Sequence, residues 1–351
     1  MKEIPYRQFS LRAHRKNLQS NRSNACQFEL TFCCGLRCSY CYCGCYNAPG
    51  QRKKELSTAQ VKKILQNVRS TGVLWLFLTG GDPLSRNDFL EIYRYAKRLG
   101  FIISIFTNGY SMTKEIAAYL KKAPPFVIEI TLNAATEEVY EEITGVKGSF
   151  RKTISGIGLI RSAGLPLKLK SLVFSQNLDE IPRLKKYFKA LEQRFLPSPD
   201  LFAALDKDAS VCNLRVPPED LYRLGLIKKE RVESCVLPPG GEGERFSGQK
   251  KLFRCTVLSN DGFYIGPAGD IFLCNLIRKP SRNLLKTDIQ AAVKELRSSA
   301  RRLQFQTDSK CRECRKREFC SWCPGKAYLE KGNPESPLEY YCSLAKMTIK
   351  R

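Results

Sequence analysis

Cys34, Cys38 and Cys41 stand in a C-x3-C-x2-C spacing, and Cys33, Cys43 and Cys45 crowd the same short stretch. Seven more thiols follow from position 255 onward: Cys255, Cys274, Cys311, Cys314, Cys320, Cys323 and Cys342. Against 16 Cys the chain has a single His, His14, so the imidazole-rich donor sets of catalytic zinc are excluded. Metal chemistry in this protein is thiolate chemistry. Four thiolates close a four-iron cluster as an electron carrier, whereas three leave one iron open to a chelating small molecule. A zinc knuckle or a set of buried thiols is the competing reading of the same spacing.

Something must hold those thiols. Strand-like runs at Phe28–Phe32, Val73–Leu78, Phe101–Phe106, Phe126–Leu132 and Leu167–Phe174 alternate with amphipathic segments. The helical segments are Ser57–Ser70, Asn87–Leu99, Thr113–Lys122, Phe150–Ala163 and Asp179–Phe195, with Gly72, Gly100 and Gly164 placed as terminal caps. A sixth strand is expected near Asp200–Leu205. Strand followed by helix, repeated, predicts an α/β fold with a parallel sheet, a partial (βα)6 barrel of the TIM type. Reacting groups in such folds gather beyond the carboxyl ends of the strands. The C-x3-C-x2-C lies there, as do Thr79-Gly80-Gly81-Asp82, Thr107-Asn108-Gly109 and Thr131-Leu132-Asn133.

With Tyr40 before its third cysteine, this motif resembles that of the radical S-adenosylmethionine (radical SAM) superfamily. The resemblance implies that Cys34, Cys38 and Cys41 hold a 4Fe–4S cluster whose open iron is chelated by the methionyl amine and carboxylate of S-adenosylmethionine. An external one-electron reductant then drives cleavage to methionine and a 5′-deoxyadenosyl radical. It further implies that Tyr40 and the backbone of Tyr42 lie near the adenine. Gly80, Gly81 and Asp82 correspond to a Gly-Gly-Glu segment that binds the methionyl amine, and Asp for Glu shortens that reach by one methylene. Thr107, Asn108, Thr131 and Asn133 are expected to line the cofactor site, and Lys170 is a candidate partner for the methionyl carboxylate.

The later cysteines resemble the SPASM extension, which carries two auxiliary 4Fe–4S clusters. Cys311, Cys314, Cys320 and Cys342 are implied as the distal set, and Cys255, Cys274 and Cys323 as the proximal one. The gap between Cys320 and Cys323 is one residue shorter than the usual pattern. The proximal set is one thiolate short; either Cys235 supplies it or that iron is open. Two zinc ribbons are the competing reading.

The chain divides into a basic amino-terminal arm (1–25), the barrel (26–205), a connecting segment that shapes a substrate channel (206–254) and a small cysteine-rich SPASM-like domain (255–351). Length (351 residues) and 43% hydrophobic content exclude a disordered chain. No apolar run approaches membrane-spanning length and no secretory signal is read, so the expected compartment is the cytoplasm. Lys and Arg exceed Asp and Glu by 59 − 34 = +25. Closed clusters carry about −2 each and a three-thiolate one about −1, which leaves about +20. That charge suits an acidic peptide or protein substrate, or an adaptation to growth conditions, ahead of nucleic acid, for which no recognition signature appears. Only about 25 residues precede the first strand, too few for a leader-binding domain, so leader recognition of a precursor peptide is expected from a separate leader-peptide recognition protein or from the barrel itself.

The expected activity is radical modification of a ribosomally made peptide or protein: a thioether or carbon–carbon cross-link, or an oxidation. Action on a small molecule or a tetrapyrrole side chain is the first alternative. A non-catalytic metal-cluster protein that binds nucleic acid is the second.

Overall fold

The computed structural model describes residues 5–20, 22–227, 251–259, 261–317 and 320–349. Its strands are β1 (Ala25–Glu29), β2 (Trp75–Thr79), β3 (Ile102–Thr107), β4 (Val127–Thr131), β5 (Leu167–Lys170), β6 (Gly262–Ile265), β7 (Asp270–Phe272) and β8 (Arg282–Asn283). Helices α1 (Tyr6–Gln19), α2 (Thr58–Ser70), α3 (Phe89–Arg98), α4 (Lys114–Lys122), α5 (Glu137–Thr144), α6 (Ser149–Ser162) and α7 (Ile181–Ala190) belong to the first half. In the second half come α8 (Pro218–Arg223), α9 (Thr256–Ser259), α10 (Ile289–Arg302), α11 (Pro324–Lys331) and α12 (Glu339–Ile349).

β1 to β5 are parallel neighbours, with Cys26 opposite Leu76, Leu76 opposite Ile103, and Ile128 opposite both Ile105 and Leu167. Alternation gives the sheet two unlike faces. Phe28, Leu76, Leu78, Ile103, Ile105, Ile128 and Ile130 are fully buried in the main apolar core. Gln27, Phe77, Phe106, Glu129 and Thr131, on the other face, are half-buried, so the inner surface of the barrel is accessible. α2 buries Val61, Ile64, Leu65 and Val68 at helical spacing, and α3 buries Phe89, Ile92, Tyr93 and Ala96. Each Val, Leu, Ile or Phe among them contributes about 1.5–3 kcal/mol by leaving water.

The predicted glycine caps are present, whereas α3 starts after Asp88, one residue beyond the expected start at Asn87. Ser57 and Gln60 form a reciprocal capping box at the start of α2. Gly72, Gly100 and Gly164 follow their helices at φ of 94°, 80° and 68°. The sixth strand differs from expectation. No strand forms at 200–205; instead a single parallel bridge joins Leu172 to Ser198. Pro197 and Pro199 flank Ser198 and lack the N–H that a longer ladder needs.

Two further elements complete the frame. β6 pairs in parallel with β1, and β7 and β8 follow antiparallel, so among the described residues one sheet runs β5-β4-β3-β2-β1-β6-β7-β8. The cysteine-rich end therefore begins as an extension of the barrel sheet. α1, from the stretch read as a basic arm, lies at the amino ends of the strands: Tyr6 OH accepts from Trp75 Nε1 (3.0 Å), and the His14 ring sits 4.7 Å from that indole. No helix among the described residues is long and apolar enough to cross a membrane.

Candidate active site

The loop after β1 carries Cys34, Cys38 and Cys41, and the loops after β2 and β3 close on it. Gly80 takes φ of 148°, and a Cβ there would stand 2.6 Å from the Thr31 carbonyl oxygen. At Gly81 a Cβ would stand 2.4 Å from the carbonyl oxygen of Cys33. That close approach lets Gly81 N–H donate to Thr31 O (2.8 Å) and Asp82 N–H to Cys33 O (2.8 Å), stitching the second loop to the cysteine loop. Gly81→Ala must push two backbones apart. The expected cost is about 1–3 kcal/mol, with reduced iron loading, read by urea unfolding and iron analysis; wild-type values for both would contradict the stitching.

Asp82 is buried and fully engaged. One carboxylate oxygen accepts from Leu84 N (2.9 Å), the other from Thr107 Oγ1 (2.7 Å) and Asn108 N (2.8 Å). Burial raises its pKa to about 6, against those three hydrogen bonds. The shorter side chain thus ties the ends of β2 and β3 together. Thr107, expected in the cofactor site, spends its hydroxyl on the same carboxylate. Burial also pushes the Cys34 and Cys38 thiols to about 12, with Asp82, Cys38 and Cys41 adding to the effect at Cys34 and Cys41 at Cys38. Such sulfurs are poor free thiolates and gain from a cation that replaces their protons.

The remaining predicted residues are dispersed around this centre. Tyr40 packs on Phe174 (5.3 Å between rings), while Tyr42 accepts from Asn275 Nδ2 (2.9 Å) and gives its carbonyl to Leu205 N (2.8 Å). Asn133 is buried; its Oδ1 accepts from Leu172 N (2.8 Å), and its Nδ2 has no hydrogen-bond partner among the described residues. Thr131 stands level with Lys170 on adjacent strands. Lys170 pairs with Glu129 and lies over the Phe106 ring, and Lys168 reaches the same carboxylate (3.0 Å). The chain's own carboxylate thus occupies the candidate methionyl partner.

Sequence reasoning missed Glu29, Tyr46, Asn275 and Arg278. Glu29, at the end of β1, is buried and receives two Arg278 nitrogens (2.8 and 2.9 Å) and the Tyr46 hydroxyl. Arg278 also donates to Asn275 Oδ1 (3.0 Å). A lone acid within the apolar run around Phe28 was the available signal; its distant partner was not.

The later cysteines converge as two sets. Cys274, pushed to about 12 by burial, also feels Cys323 and Cys255. Cys311, Cys314, Cys320 and Cys342 together line one cavity of about 250 Å³. Cys235 lies outside the described residues. Among those described, no three Cys, His, Asp or Glu side chains meet closely enough to hold a single metal ion. Thiolates around a four-iron cube stand farther apart than those around one zinc. The first set fits a three-thiolate cluster: three sulfurs, two N–H groups (Leu36 N and Asn108 Nδ2) aimed at Cys34 Sγ, and an unpartnered amide at Asn133.

Residues 28–188 match the radical SAM superfamily. They form a radical SAM domain. The chain is accordingly an enzyme of a class that works with a 4Fe–4S cluster and S-adenosylmethionine. The domain's wider similarity spans nearly the whole chain. AdoMet-dependent heme synthase of Methanosarcina barkeri is 25% identical over 336 residues, 90% of this chain and 95% of that one. Its namesake in Oleidesulfovibrio alaskensis is 31% identical over 173 residues, 48% of this chain and 43% of that one. Among solved structures, Streptococcus suis SuiB bound to S-adenosylmethionine matches with a TM-score of 0.64 at 18% identity, covering 96% of this chain and 80% of that one. The anSMEcpe enzyme with bound AdoMet and Kp18Cys peptide matches with a TM-score of 0.66 at 17% identity, over 93% and 96%. These two likenesses establish a shared fold.

Proposed function

We propose that the chain is an oxidative radical SAM enzyme modifying a side chain of a ribosomally made peptide or protein, with a SPASM-like carboxyl-terminal region holding two auxiliary clusters. The observation that carries the reading is the convergence of two separate cysteine sets, one of which is tied to the radical site. Cys274 lies beside Asn275, which donates to Tyr42, next in the chain after Cys41. In this reading Cys255, Cys274 and Cys323 hold the proximal cluster, with Cys235 or substrate as the remaining ligand. Cys311, Cys314, Cys320 and Cys342 hold the distal one. Such an arrangement suits a reaction that ends by removing an electron from the substrate radical.

When bound, the cluster and S-adenosylmethionine supply a 5′-deoxyadenosyl radical able to abstract hydrogen from an unactivated carbon. The protein's own work is positioning and exclusion of water. Gly80 and Gly81 bring the β2 loop against the cysteine loop, and Asn133 offers a free amide donor to the cofactor. Phe77 and Phe106, 5.5 Å apart, line the accessible inner face, where a substrate side chain meets the rim. SuiB bound to precursor peptide SuiA, and anSMEcpe with its peptide, support a peptide as the occupant. The positive charge fits an acidic one, and the expected compartment is the cytoplasm.

A second reading has its own support: the end-to-end similarity to AdoMet-dependent heme synthase favours a tetrapyrrole side chain as substrate. One experiment separates the two. Anaerobically purified protein is expected to hold about 12 irons and to release 5′-deoxyadenosine with dithionite. Incubation with peptides encoded beside its gene should then shift a peptide mass. A shift only in an iron tetrapyrrole moves the assignment to the second reading; about four irons removes the auxiliary clusters.

A further inference from the structure

We infer that Asn108 is a positioning residue for the radical cluster, which sets its reduction potential by donating a hydrogen bond to the sulfur of Cys34. The inference rests on the three-thiolate radical SAM site described above.

The geometry leaves the amide one orientation. Asn108 Oδ1 accepts from Tyr110 N (2.8 Å), which turns Nδ2 toward Cys34 Sγ, 3.4 Å away. The Asn108 backbone is anchored in turn, because its N–H donates to buried Asp82. Tyr110 is held as well: its ring lies where a Cβ on residue 35 would be, 2.6 Å from it, and its hydroxyl accepts from Lys152 Nζ (3.0 Å). Asp82 meanwhile takes its own N–H to Cys33 O. Acid, amide and cysteine thus form a closed loop of contacts: Asp82 to the Asn108 backbone, the Asn108 side chain to Cys34, and Cys33 back to Asp82. Leu36 N supplies a second donor to the same sulfur at 3.5 Å.

Donors to a ligating sulfur stabilise the cluster more in its reduced, electron-rich state, and so raise its potential. The residue therefore matters most to how readily the cluster is reduced, and less to whether it assembles. It also gives the Asp-for-Glu departure a purpose, since the short carboxylate anchors the donor loop instead of reaching the cofactor.

The test is a redox titration of the reconstituted full chain, following the reduced cluster by electron paramagnetic resonance, for wild type, Asn108→Leu and Asn108→Asp. Asn108→Leu removes the donor while keeping the branched side-chain skeleton; Asn108→Asp also sets a carboxylate oxygen against the sulfur. At a poise where wild type is half reduced, the reduced-to-oxidised ratio is expected to fall about tenfold in Asn108→Leu, equal to a shift of about 59 mV to more negative potential. Asn108→Asp should shift further, and both should keep wild-type iron content. Unchanged potentials overturn the inference. So does loss of iron in both variants, which would make Asn108 a structural part of cluster assembly. A wild-type signal unaltered by S-adenosylmethionine is a different failure, that of the radical SAM reading itself.

Discussion

Alanine at Cys34, Cys38 or Cys41 is expected to reduce 5′-deoxyadenosine formation to the uncatalysed background and to remove about four irons per chain. The size of the effect follows from the ligand count. A cluster with one open iron has three protein anchors, and a two-anchor site must recruit a ligand from solvent or fall apart. Burial strengthens the expectation, since the Cys34 and Cys38 thiols sit at about 12 and give up protons only in exchange for metal. The control lies next in the chain. Cys33 takes part through its carbonyl, which accepts from Asp82 N, and Cys33→Ala keeps that carbonyl. Its iron content and cofactor cleavage should stay near wild type. Equal losses in Cys33→Ala and Cys34→Ala would mean that local folding, and not ligation, sets the result; cleavage surviving in a triple alanine variant would remove the cluster site altogether.

What the sequence made legible was local. The five barrel strands declare themselves because their buried positions are Val, Ile, Leu and Phe, and their helices because Ser57, Gly72, Gly100 and Gly164 mark ends by backbone chemistry that needs no partner. α5 escaped notice: it is eight residues long and carries four Glu, so its buried Tyr140 and Ile143 leave a faint periodicity. α1 reads as a solvated basic arm until Trp75 and Phe126 are seen beneath Tyr6, 4.7 Å from the latter ring. The site divides in the same way. The C-x3-C-x2-C and the Gly-Gly-Asp run are contiguous signals, whereas the role of Asp82 depends on Thr107 and Asn108 from another strand. The two late cysteine groupings came from the resemblance to the SPASM extension and not from spacing alone; their cavity and their link to Tyr42 through Asn275 were not legible.

The least legible pair supports the last prediction. Glu29→Gln is expected to destabilise the fold by about 3–5 kcal/mol, because it leaves the Arg278 guanidinium largely buried without its counter-charge. Glu29 is 1% exposed and the Arg278 side chain 21%, so water offers the arginine only partial relief. Burial, not attraction alone, makes the loss large: removing both charges should hurt less than removing one. Glu29→Gln combined with Arg278→Met is accordingly expected to recover a substantial part of the stability in urea unfolding. The same variants report on function. Glu29 ends the strand that leads into the cysteine loop, Arg278 follows Cys274 by four residues, and Tyr46 and Asn275 join the pair from either side. Breaking it should loosen the Cys274 loop from the radical site, so that the single variant loses iron beyond the first cluster while Cys34, Cys38 and Cys41 keep theirs. If Glu29→Gln is as stable as wild type, the ion pair does not brace the two cysteine regions. If the double variant is worse than either single one, the two residues act through packing and not through charge.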